Sequence, residues 1–376
     1  MQALVIGGSG PTGPFIINGL LARGYQVTVL HRGFHEVEYD KPVEHIHTDP
    51  YFPEPVKQAL GDRRFDVAIV TYGRTRHIAD ILAGRVKHLL TASGSPAYLG
   101  WLDQSQAPNG RLVGPLREDD PVVRDPSVNK LCSLVVATED SILEHGKKGD
   151  FQTTIFRYPN IYGPRMLNPR EWCVVRRVRD GRKFMILPFG GMTFHERTYA
   201  ENAAYAFMLA VEKPLAANGQ IYNLAEERKY SLRQVVEVVL EVMGAKMEFL
   251  DLPWDWAEAG KPFIRHWHHK LLDSTKLRQQ LGYTEFVPTA EAMRRTVEWY
   301  VKNPLKPGCE EEKTLQDAFD YAAEDRVYAI CKETSARLAE AYQSKFAWRH
   351  TYEHPKEVGE KRYEQGSAPG KGKQPS

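Results

Sequence analysis

Three glycines near the N-terminus recur at a spacing that suits phosphate binding. They lie in the segment GGSGPTG, directly after the apolar residues 3–6 and before a helical pattern over residues 14–23. Glycine allows a tight turn and a close approach of the backbone to a pyrophosphate, and the N-terminus of the next helix adds free N–H groups. The pattern therefore predicts a dinucleotide site. The predicted contacts of this loop are Gly7, Ser9, Gly10, Thr12 and Gly13.

The end of the second apolar segment indicates which dinucleotide binds. Residues 26–30 are β-branched and apolar, as in a buried strand, and Arg32 follows them, whereas the first acidic residue, Glu36, comes later. An acidic residue at the strand end would bind the adenosine ribose 2′-hydroxyl, while arginine accommodates a 2′-phosphate. Arg32 therefore favours NADP over NAD, unless it is only a solvated loop residue. Tyr72 and Gly73, after a later apolar segment, complete the predicted cofactor contacts.

Hydroxyl side chains cluster at the end of another predicted strand. Ser93 and Ser95 follow the apolar residues 88–92, and Tyr98 comes shortly after them. Ligands of parallel α/β sheets bind at the carboxyl ends of the strands, so these hydroxyls are candidates for a site. Ordinary turn capping would also explain the serines.

A cationic set lies further along the chain. Arginine suits bidentate recognition of carboxylate or phosphate, and histidine can act as an acid or base near neutral pH. The set therefore predicts a small anionic ligand, although about half of it could lie on a solvated helix face. Its members are Arg165, Arg170, Arg176, Arg177, His195 and Arg197.

The run His266-Trp267-His268-His269 could hold a metal ion, because histidines two residues apart share one face of a strand. No carboxylate is suitably close before Asp273. We therefore predict no metal site.

The composition limits the classes of protein to consider. The chain has 376 residues, with 50 Lys and Arg against 48 Asp and Glu, so its net charge of +2 argues against nucleic-acid binding. No apolar run approaches the roughly 18 residues that a membrane span needs, and the N-terminus lacks the features of a signal peptide. The four cysteines are scattered without disulfide or zinc spacing. We therefore expect reduced thiols and a cytoplasmic location.

Strand and helix patterns alternate regularly over the first hundred residues, which predicts a doubly wound parallel α/β sheet. A long helical pattern over residues 128–145 and a strand over 153–156 follow. Beyond Gly163-Pro164 the pattern changes. The later predicted elements are helices over 170–180, 201–212, 231–243 with Ser231 as N-cap, 273–281 and 289–302, and strands over 184–187 and 221–224.

Several segments together resemble a known family over about residues 1–300. They are GGSGPTG, VTVLHRG, FDVAIVTYG, HLLTASGSPAYLG, FRYPNIYGPR and RTYAENAAYA. In this order and spacing they are similar to motifs of the extended short-chain dehydrogenase/reductase superfamily, in its NAD-dependent epimerase/dehydratase family. The resemblance implies a Rossmann-type domain, a smaller C-terminal substrate domain and a site between them. It also implies that Tyr158, Asn160, Arg165 and Arg197 bind substrate.

The expected domain organisation follows from the resemblance. Residues 1–165 form the dinucleotide-binding domain, to which the chain returns near 193–225, and residues 166–305 mainly form the substrate-binding domain. Residues 306–354 are expected to be a helical extension, and residues 355–376 a disordered tail.

The chain departs from the family at the catalytic helix. The family uses a serine or threonine, a tyrosine, and a lysine four residues after that tyrosine, with a glutamate four residues further on. Glu139 best matches this glutamate, which puts Val135 at the lysine and Leu131 at the tyrosine. Neither side chain can transfer a proton. No Tyr-x-x-x-Lys occurs between Gly114 and Asp150.

Two arrangements would restore acid–base chemistry. A shifted helix register would bring Asn129, Lys130 or Ser133 to the site. Alternatively, another element supplies the proton donor, with Tyr72, Arg74, Tyr98, Tyr158 and Tyr162 as candidates. The predicted catalytic residues are Ser93, Ser95, Tyr98, Ser133 and His195.

The favoured function is an NAD(P)-dependent oxidoreductase, epimerase or dehydratase that acts on a small anionic or sugar-like substrate. One alternative is a catalytically degenerate NADP-binding sensor or scaffold, since some relatives with a similar V-T-V-x-x-R-G segment associate with RNA. A non-redox lyase or isomerase is another. Homodimers are common in the family, so we expect one through the apolar stripe of helix 128–145, although that stripe could instead belong to the core of the chain. Nucleic acid and membranes are not expected partners.

Overall fold

Parallel strands joined by helices form most of the molecule. The computed structural model describes residues 1–34, 37–341, 352 and 355–360. The strands are β1 Gln2–Ile6, β2 Gln26–His31, β3 Glu44–His47, β4 Phe65–Val70, β5 Val86–Gly94, β6 Gln152–Tyr158, β7 Asn160–Tyr162, β8 Phe184–Pro188, β9 Arg197–Tyr199, β10 Gln220–Asn223 and β11 Glu248–Leu252. The helices are α1 Gly13–Ala22, α2 Pro53–Leu60, α3 Thr75–Leu82, α4 Lys130–Lys148, α5 Glu171–Arg179, α6 Ala200–Glu212, α7 Pro214–Ala217, α8 Leu232–Val242, α9 Lys261–Ile264, α10 Thr275–Leu281, α11 Thr289–Lys302, α12 Glu310–Lys313 and α13 Tyr321–Ala341.

The large sheet is parallel throughout and has the strand order β10-β6-β5-β4-β1-β2-β3. Its central strands are almost entirely buried and apolar, as expected for strands that are covered on both faces. The order reverses between β1 and β4, where the carboxyl ends of neighbouring strands form the usual crevice for a ligand. The predicted doubly wound sheet is confirmed.

Apolar side chains cover both faces of this sheet. Helices α1 and α6 pack on one face with the cluster that includes Ile16, Leu20 and Phe207, and the other face carries Leu4, Ile78 and Ile142. A separate cluster around Trp172, Val236 and Tyr300 joins α5, α8 and α11. This second core supports the smaller sheets β11-β8 and β7-β9.

The helix ends follow local chemistry. Ser231 forms a capping box with Gln234 at the start of α8, which confirms the predicted N-cap. Helix α4 begins at Lys130 with Asn129 as its N-cap, two residues later than expected.

The chain divides into two compact units, Met1–Phe319 and Asp320–Ser376. Strand β10 lies in the large sheet, in the region where the chain was expected to return to the first domain. The boundaries at residues 165 and 305 stay predictions. The described part of the second unit contains α13. Residues 342–351, 353–354 and 361–376 lie outside the described residues, and most of the expected tail falls there.

None of the helices in the described part of the chain is both long and apolar enough to cross a membrane.

Candidate active site

The glycine loop joins β1 to α1 and depends on having no side chains at two positions. Gly7 has a φ of +98°, and a Cβ there would lie 2.5 Å from the Tyr72 Cβ. A Cβ at Gly13 would lie 2.0 Å from the Gly8 carbonyl oxygen. These close approaches explain the glycines at both ends of the loop.

The middle of the loop and the helix N-terminus are open to a ligand. A Cβ at Gly10 would meet no atom closer than 3.9 Å. Thr12 is the N-cap of α1 and makes no side-chain cap hydrogen bond, and Pro14 in the first turn has no N–H. The remaining N–H groups and the helix dipole favour an anion at this point.

The loop forms one wall of a cleft of about 700 Å³. The predicted cofactor residues that line it are Gly7, Ser9, Gly10, Thr12, Arg32 and Tyr72. Gly13 lies beneath the loop, and Gly73 lines a different cavity, where its backbone packs against Pro50. Arg165, which was predicted to bind substrate, also lines this cleft.

Arg32 is held by aromatic rings at one end of the cleft. Its guanidinium lies 5.1 Å from the Phe34 ring centroid and 5.3 Å from the Tyr72 ring centroid. These cation–π contacts leave its hydrogen-bond donors available to a phosphate.

Tyr158, at the end of β6, lines both the cleft and a second cavity of about 320 Å³. Burial raises the pKa of Tyr158, and the nearby Thr12 hydroxyl offsets a part of this rise. The predicted substrate residues Asn160 and Arg197 and the predicted catalytic residue His195 line the second cavity. We call this second space the cationic cavity.

Arg170 supplies a half-buried charge to the cationic cavity. Desolvation and the neighbouring Arg265 and Arg197 lower its pKa to about 10, and Glu171 offsets a part of this change. Its guanidinium donates a 3.2 Å hydrogen bond to Asn160 and forms no ion pair among the described residues. An arginine in this position favours an anionic ligand.

Arg197 has a different environment because it forms an ion pair with Glu171. Its guanidinium also lies 4.2 Å from the Tyr162 ring centroid, and the Tyr162 hydroxyl donates to Glu226 at 2.6 Å. Burial raises the pKa of Glu226 to about 8. These contacts fix Arg197 at the wall of the cavity.

His195 has one ring nitrogen available for proton transfer. Its Nε2 lies 3.1 Å from the His266 carbonyl oxygen, which assigns the hydrogen to Nε2 and leaves the lone pair on Nδ1. Nδ1 is buried and has no hydrogen-bond partner among the described residues. Burial, followed by the charges of Arg170 and Lys270, lowers the pKa of His195 well below its usual value. The ring is therefore neutral and can accept a proton.

Lys270 lies beside His195 and is a residue that sequence patterns did not indicate. His195 and Lys270 form an isolated parallel β-bridge. The Lys270 side chain is 3% exposed, and its ammonium lies 5.4 Å from the Trp101 ring centroid. Burial and Arg170 lower the pKa of Lys270 to about 6. The sequence signal was weak, because a lysine after a histidine run is ordinary on a surface.

The serine predicted at the end of β5 belongs to a buried polar group. Ser93 donates to Glu139 at 2.5 Å, and the two Glu139 oxygens also accept from Arg157 at 3.0 and 2.7 Å. Both charged side chains are buried. These contacts link β5, β6 and α4 and fix the register of α4.

Leu131, Val135 and Glu139 line the same cavity as Ser93, with a volume of about 480 Å³. We call this space the α4 cavity. The positions that correspond to the family's tyrosine and lysine therefore carry apolar side chains. Ser133 donates to the Lys130 carbonyl, and Asn129 caps the helix, so a shifted register does not bring them to this cavity.

The structure does not bring the five predicted catalytic residues together. Ser95 is buried, and the Tyr98 hydroxyl donates a 2.7 Å hydrogen bond to Asn223. Burial raises the pKa of Tyr98 to about 12, so that hydroxyl is a poor acid. Of the set, His195 alone lines the cationic cavity.

Two arginines of the cationic set have structural contacts instead. Arg176 forms an ion pair with Glu312 at 2.7 Å, and Arg177 forms a buried ion pair with Asp317 at 2.7 Å. Neither side chain lines the cationic cavity. Arg177 is also buried, so it does not lie on a solvated helix face. In the histidine run, His268 Nε2 lies 3.3 Å from the Trp101 carbonyl oxygen, and burial lowers the pKa of His266 to about 3.

The fold and the site define a Rossmann-type protein in which the cleft beside the glycine loop and the cationic cavity share Tyr158 as a lining residue. Residues 133–225 match the model of the NAD dependent epimerase/dehydratase family. This match contains the end of β6, α5 and His195.

Two curated proteins are similar in sequence to a part or to most of this chain. An uncharacterised protein of Sinorhizobium fredii is 29% identical over 175 residues, which cover 40% of this chain and 48% of that protein. The UDP-N-acetyl-alpha-D-glucosaminuronate decarboxylase of Bacillus cytotoxicus is 22% identical over 330 residues, covering 80% of this chain and 97% of the relative. The chain thus spans about half of the first relative and nearly all of the second.

Among solved structures, the Thermus thermophilus UDP-glucose 4-epimerase in complex with NAD superposes with a TM-score of 0.61 and 22% identity. The superposition covers 80% of this chain and 99% of the epimerase. This chain is therefore similar to the NAD-dependent epimerase/dehydratase family in the segment that the family model matches, and to the decarboxylase and the epimerase along most of its length.

Proposed function

We propose that this protein is an NAD(P)-dependent epimerase, dehydratase or related oxidoreductase that acts on an anionic sugar nucleotide. The observation that carries this proposal is that Tyr158 lines both the cleft beside the glycine loop and the cationic cavity. A dinucleotide that extends from Arg32 past the glycine loop reaches Tyr158, and a substrate in the cationic cavity then meets its far end. A bound nicotinamide cofactor supplies a hydride acceptor or donor at this junction.

The residues of the cleft fit such a cofactor. The open position at Gly10 and the uncapped start of α1 suit a pyrophosphate. Arg32 suits a 2′-phosphate, so NADP is the proposed cofactor and NAD the alternative. The relatives' complexes name NAD, and Arg32 is the feature that favours NADP here.

The substrate class follows from Arg170 and from the relatives. Arg170 is half-buried with an amide as its hydrogen-bond partner, so a phosphate or carboxylate in the cavity would compensate its charge. The decarboxylase and the epimerase named above act on UDP-linked sugars. We propose a nucleoside diphosphate sugar for this chain, with Asn160, Arg170 and Arg197 as its contacts.

His195 is the proposed proton acceptor in place of the missing tyrosine and lysine. The His266 carbonyl holds the ring so that Nδ1 is free to accept a substrate hydroxyl proton. Lys270 and Arg170 disfavour the protonated ring, so the proton is readily returned to the product. Water access is limited because His195 is only 3% exposed.

Cofactor binding is tested by energy transfer from Trp299, which lines the cleft, to bound NADPH. Arg32→Asp should weaken NADPH binding by about 10- to 100-fold and favour NADH, because it removes a charged hydrogen bond to the 2′-phosphate. The exposed Arg111→Asp is the matched control and should bind as the unchanged protein does. Equal loss in both variants would exclude this role for Arg32.

Turnover is tested with a panel of UDP- and dTDP-sugars by following absorbance of the reduced cofactor and product stereochemistry. Arg170→Gln should raise KM for the sugar nucleotide by about 10- to 100-fold, since it removes a charged contact. Arg179→Gln, an exposed change on the same helix, is the control. Unaltered KM in Arg170→Gln would exclude the cationic cavity as the substrate site.

A cofactor-binding protein without turnover is the second candidate function. The observation that favours it is that Leu131 and Val135 occupy the positions of the family's tyrosine and lysine. Tight NADPH binding with no conversion of any sugar nucleotide, and no hydride exchange with labelled NADPH, would support this candidate over the enzyme.

A homodimer through α4 is also proposed. Leu131 and Leu134 are 65% and 42% exposed on this helix, which is unusual for apolar side chains without a partner surface. Light scattering should give twice the chain mass of 42.8 kDa, and Leu134→Glu should give the monomer. A monomeric unchanged protein would exclude this dimer.

A further inference from the structure

Three histidines meet at the edge of the large sheet, away from the cationic cavity. His45 and His47 lie on the same face of β3, because residues two apart in a strand point to one side. His31 ends β2, and the parallel register of the two strands puts it opposite His47. The topology therefore brings three imidazoles to one face of two neighbouring strands.

The distances between these rings are short. One possible ligand nitrogen from each of the three lies within 4.8 Å of the others. His31 Nε2 lies 2.9 Å from His45 Nδ1. The His31 and His47 ring centroids are 4.8 Å apart with the planes at 85°. His45 and His47 are exposed while His31 is buried, so the group is anchored on one side and open to solvent on the other.

We propose that His31, His45 and His47 bind a divalent transition-metal ion of the zinc type. Imidazole nitrogen is a preferred ligand of zinc, copper and nickel, with a zinc–nitrogen distance of about 2.0–2.1 Å. Ligands at this distance around one ion are about 3.4 Å apart in tetrahedral geometry. Adjustment of the two exposed side chains brings the three nitrogens to that separation. The solvent side leaves a fourth position for water.

The hydrogen bonds of His31 show what metal binding would change. In the structure the Gly33 N–H donates to His31 Nδ1 at 3.3 Å, which places the ring hydrogen on Nε2, facing His45. A metal ion on Nε2 takes the place of this hydrogen. The ring proton then moves to Nδ1, no net proton is released from a neutral imidazole, and the long Gly33 hydrogen bond is given up. The binding energy of three nitrogen ligands outweighs the loss of the hydrogen bonds from His31 to His45 and from Gly33 to His31.

The proposed metal site lies at the cleft that contains the glycine loop and Arg32. His31 precedes Arg32 and lines the same cleft, and a Cβ at Gly33 would lie 3.5 Å from the His47 ring. A metal ion would therefore join β2 and β3 directly beneath the segment that carries Arg32. The proposal goes beyond the proposed function, and metal binding can be measured without cofactor or turnover.

The test uses the full chain without a histidine tag, treated with a chelator and titrated with Co²⁺ alone. The unchanged protein should develop visible absorption bands that saturate at one ion per chain, and Zn²⁺ should displace them. His45→Ala and His47→Ala should each weaken binding by more than about 100-fold, because loss of even an outer partner of a metal ligand costs about 10- to 100-fold. Both residues are exposed, so both variants should fold, which far-UV circular dichroism checks.

His77→Ala is the matched control, because His77 is a partly exposed histidine of the same domain outside the group. It should bind Co²⁺ as the unchanged protein does. X-ray absorption of the zinc form should show three imidazole ligands at about 2.0–2.1 Å. Absence of saturable Co²⁺ binding, or binding that survives in His45→Ala or His47→Ala, would overturn the proposal. His45→Asn and His47→Asn replace the alanine variants if those do not fold.

Discussion

The cationic cavity and the α4 cavity differ in the chemistry that they can perform. The α4 cavity lies where the family places its acid–base residues, yet Leu131 and Val135 form its wall beside Ser93. The cationic cavity contains His195 and Arg170. Lys270 is adjacent to His195. The tyrosine and lysine of the family are therefore missing from the first space, and the buried histidine that we propose as proton acceptor lines the second.

The difference is consistent with our proposal that proton transfer takes place beside His195 while the architecture around α4 is kept. Ser93 and Glu139 line the α4 cavity, and both contribute to holding Arg157 and the helix register. A buried ion pair of this kind is costly to break, so it stabilises the structure whether or not the α4 cavity takes part in catalysis. The titratable groups near the cationic cavity are instead tuned by burial and by each other, as in many active sites.

The largest effect is expected for His195→Asn, which removes the proposed proton acceptor. kcat should fall by about 10²- to 10⁴-fold with little change in KM, because positioned acid–base catalysis contributes this much. Stopped-flow measurement of cofactor reduction with the best sugar nucleotide separates the chemical step from product release.

His269→Asn serves as the control for His195→Asn, because His269 belongs to the adjacent histidine run and does not line the cavity. It should leave kcat within about threefold, as for most substitutions outside the site. An unaltered kcat in His195→Asn would mean that the proton acceptor lies elsewhere, and the contrast between the two cavities would lose its main support.

A somewhat smaller effect, on stability, is expected for Lys270→Met. The lowered pKa of Lys270 means that the folded chain binds this proton less tightly than the unfolded chain does. The contribution of Lys270 to stability therefore rises with pH between about 6 and its ordinary value near 10.4, and it declines as the pH falls to 6. Lys270→Met should be more stable than the unchanged protein by about 1–4 kcal/mol near pH 6, and this advantage should shrink as the pH rises.

Urea denaturation at several pH values measures this difference. The exposed Lys302→Met provides the control and should show no such pH dependence. If Lys270→Met is instead less stable at every pH, then a partner compensates the ammonium and the cavity is less cationic than the structure indicates. The His195 pKa, followed by NMR, should also rise in Lys270→Met, since a neighbouring positive charge is removed.

Local patterns predicted the fold and the cofactor loop well, because both depend on residues close in sequence. The glycine spacing, the apolar strands and the Ser231 cap are local features, and the structure contains each of them. The prediction of NADP from Arg32 rests on one residue and stays a prediction. The prediction of no metal site concerned the histidine run at 266–269 and did not consider His31, His45 and His47, which two neighbouring strands bring together.

The substrate side could be predicted only in part, because its contacts join distant segments. Arg170, His195 and Arg197 were identified by type, and the structure brings them into one cavity. Arg176 and Arg177 looked equivalent in sequence, but acidic residues more than a hundred positions away pair with them. Lys270 gains its role from pairing with residue 195, which no local pattern indicates.

The smallest effect is expected for Leu131→Tyr with Val135→Lys, which restores the family's tyrosine and lysine to α4. If proton transfer takes place beside His195, the restored pair has no substrate to act on, and kcat/KM should change by no more than about threefold. The same pair introduced into His195→Asn should rescue little activity. Steady-state assays of the double and triple variants, with Leu134 left unchanged to retain the exposed face of α4, provide the measurement.

A rise of tenfold or more in either background would reverse the comparison between the two cavities. It would show that the substrate reacts beside Ser93 and that the α4 cavity has lost its acid–base residues without replacement. The cationic cavity would then bind the anionic end of the substrate while the chemistry takes place on α4. Because Glu139 already holds the helix in the required register, the two added side chains would need no further rearrangement to act there.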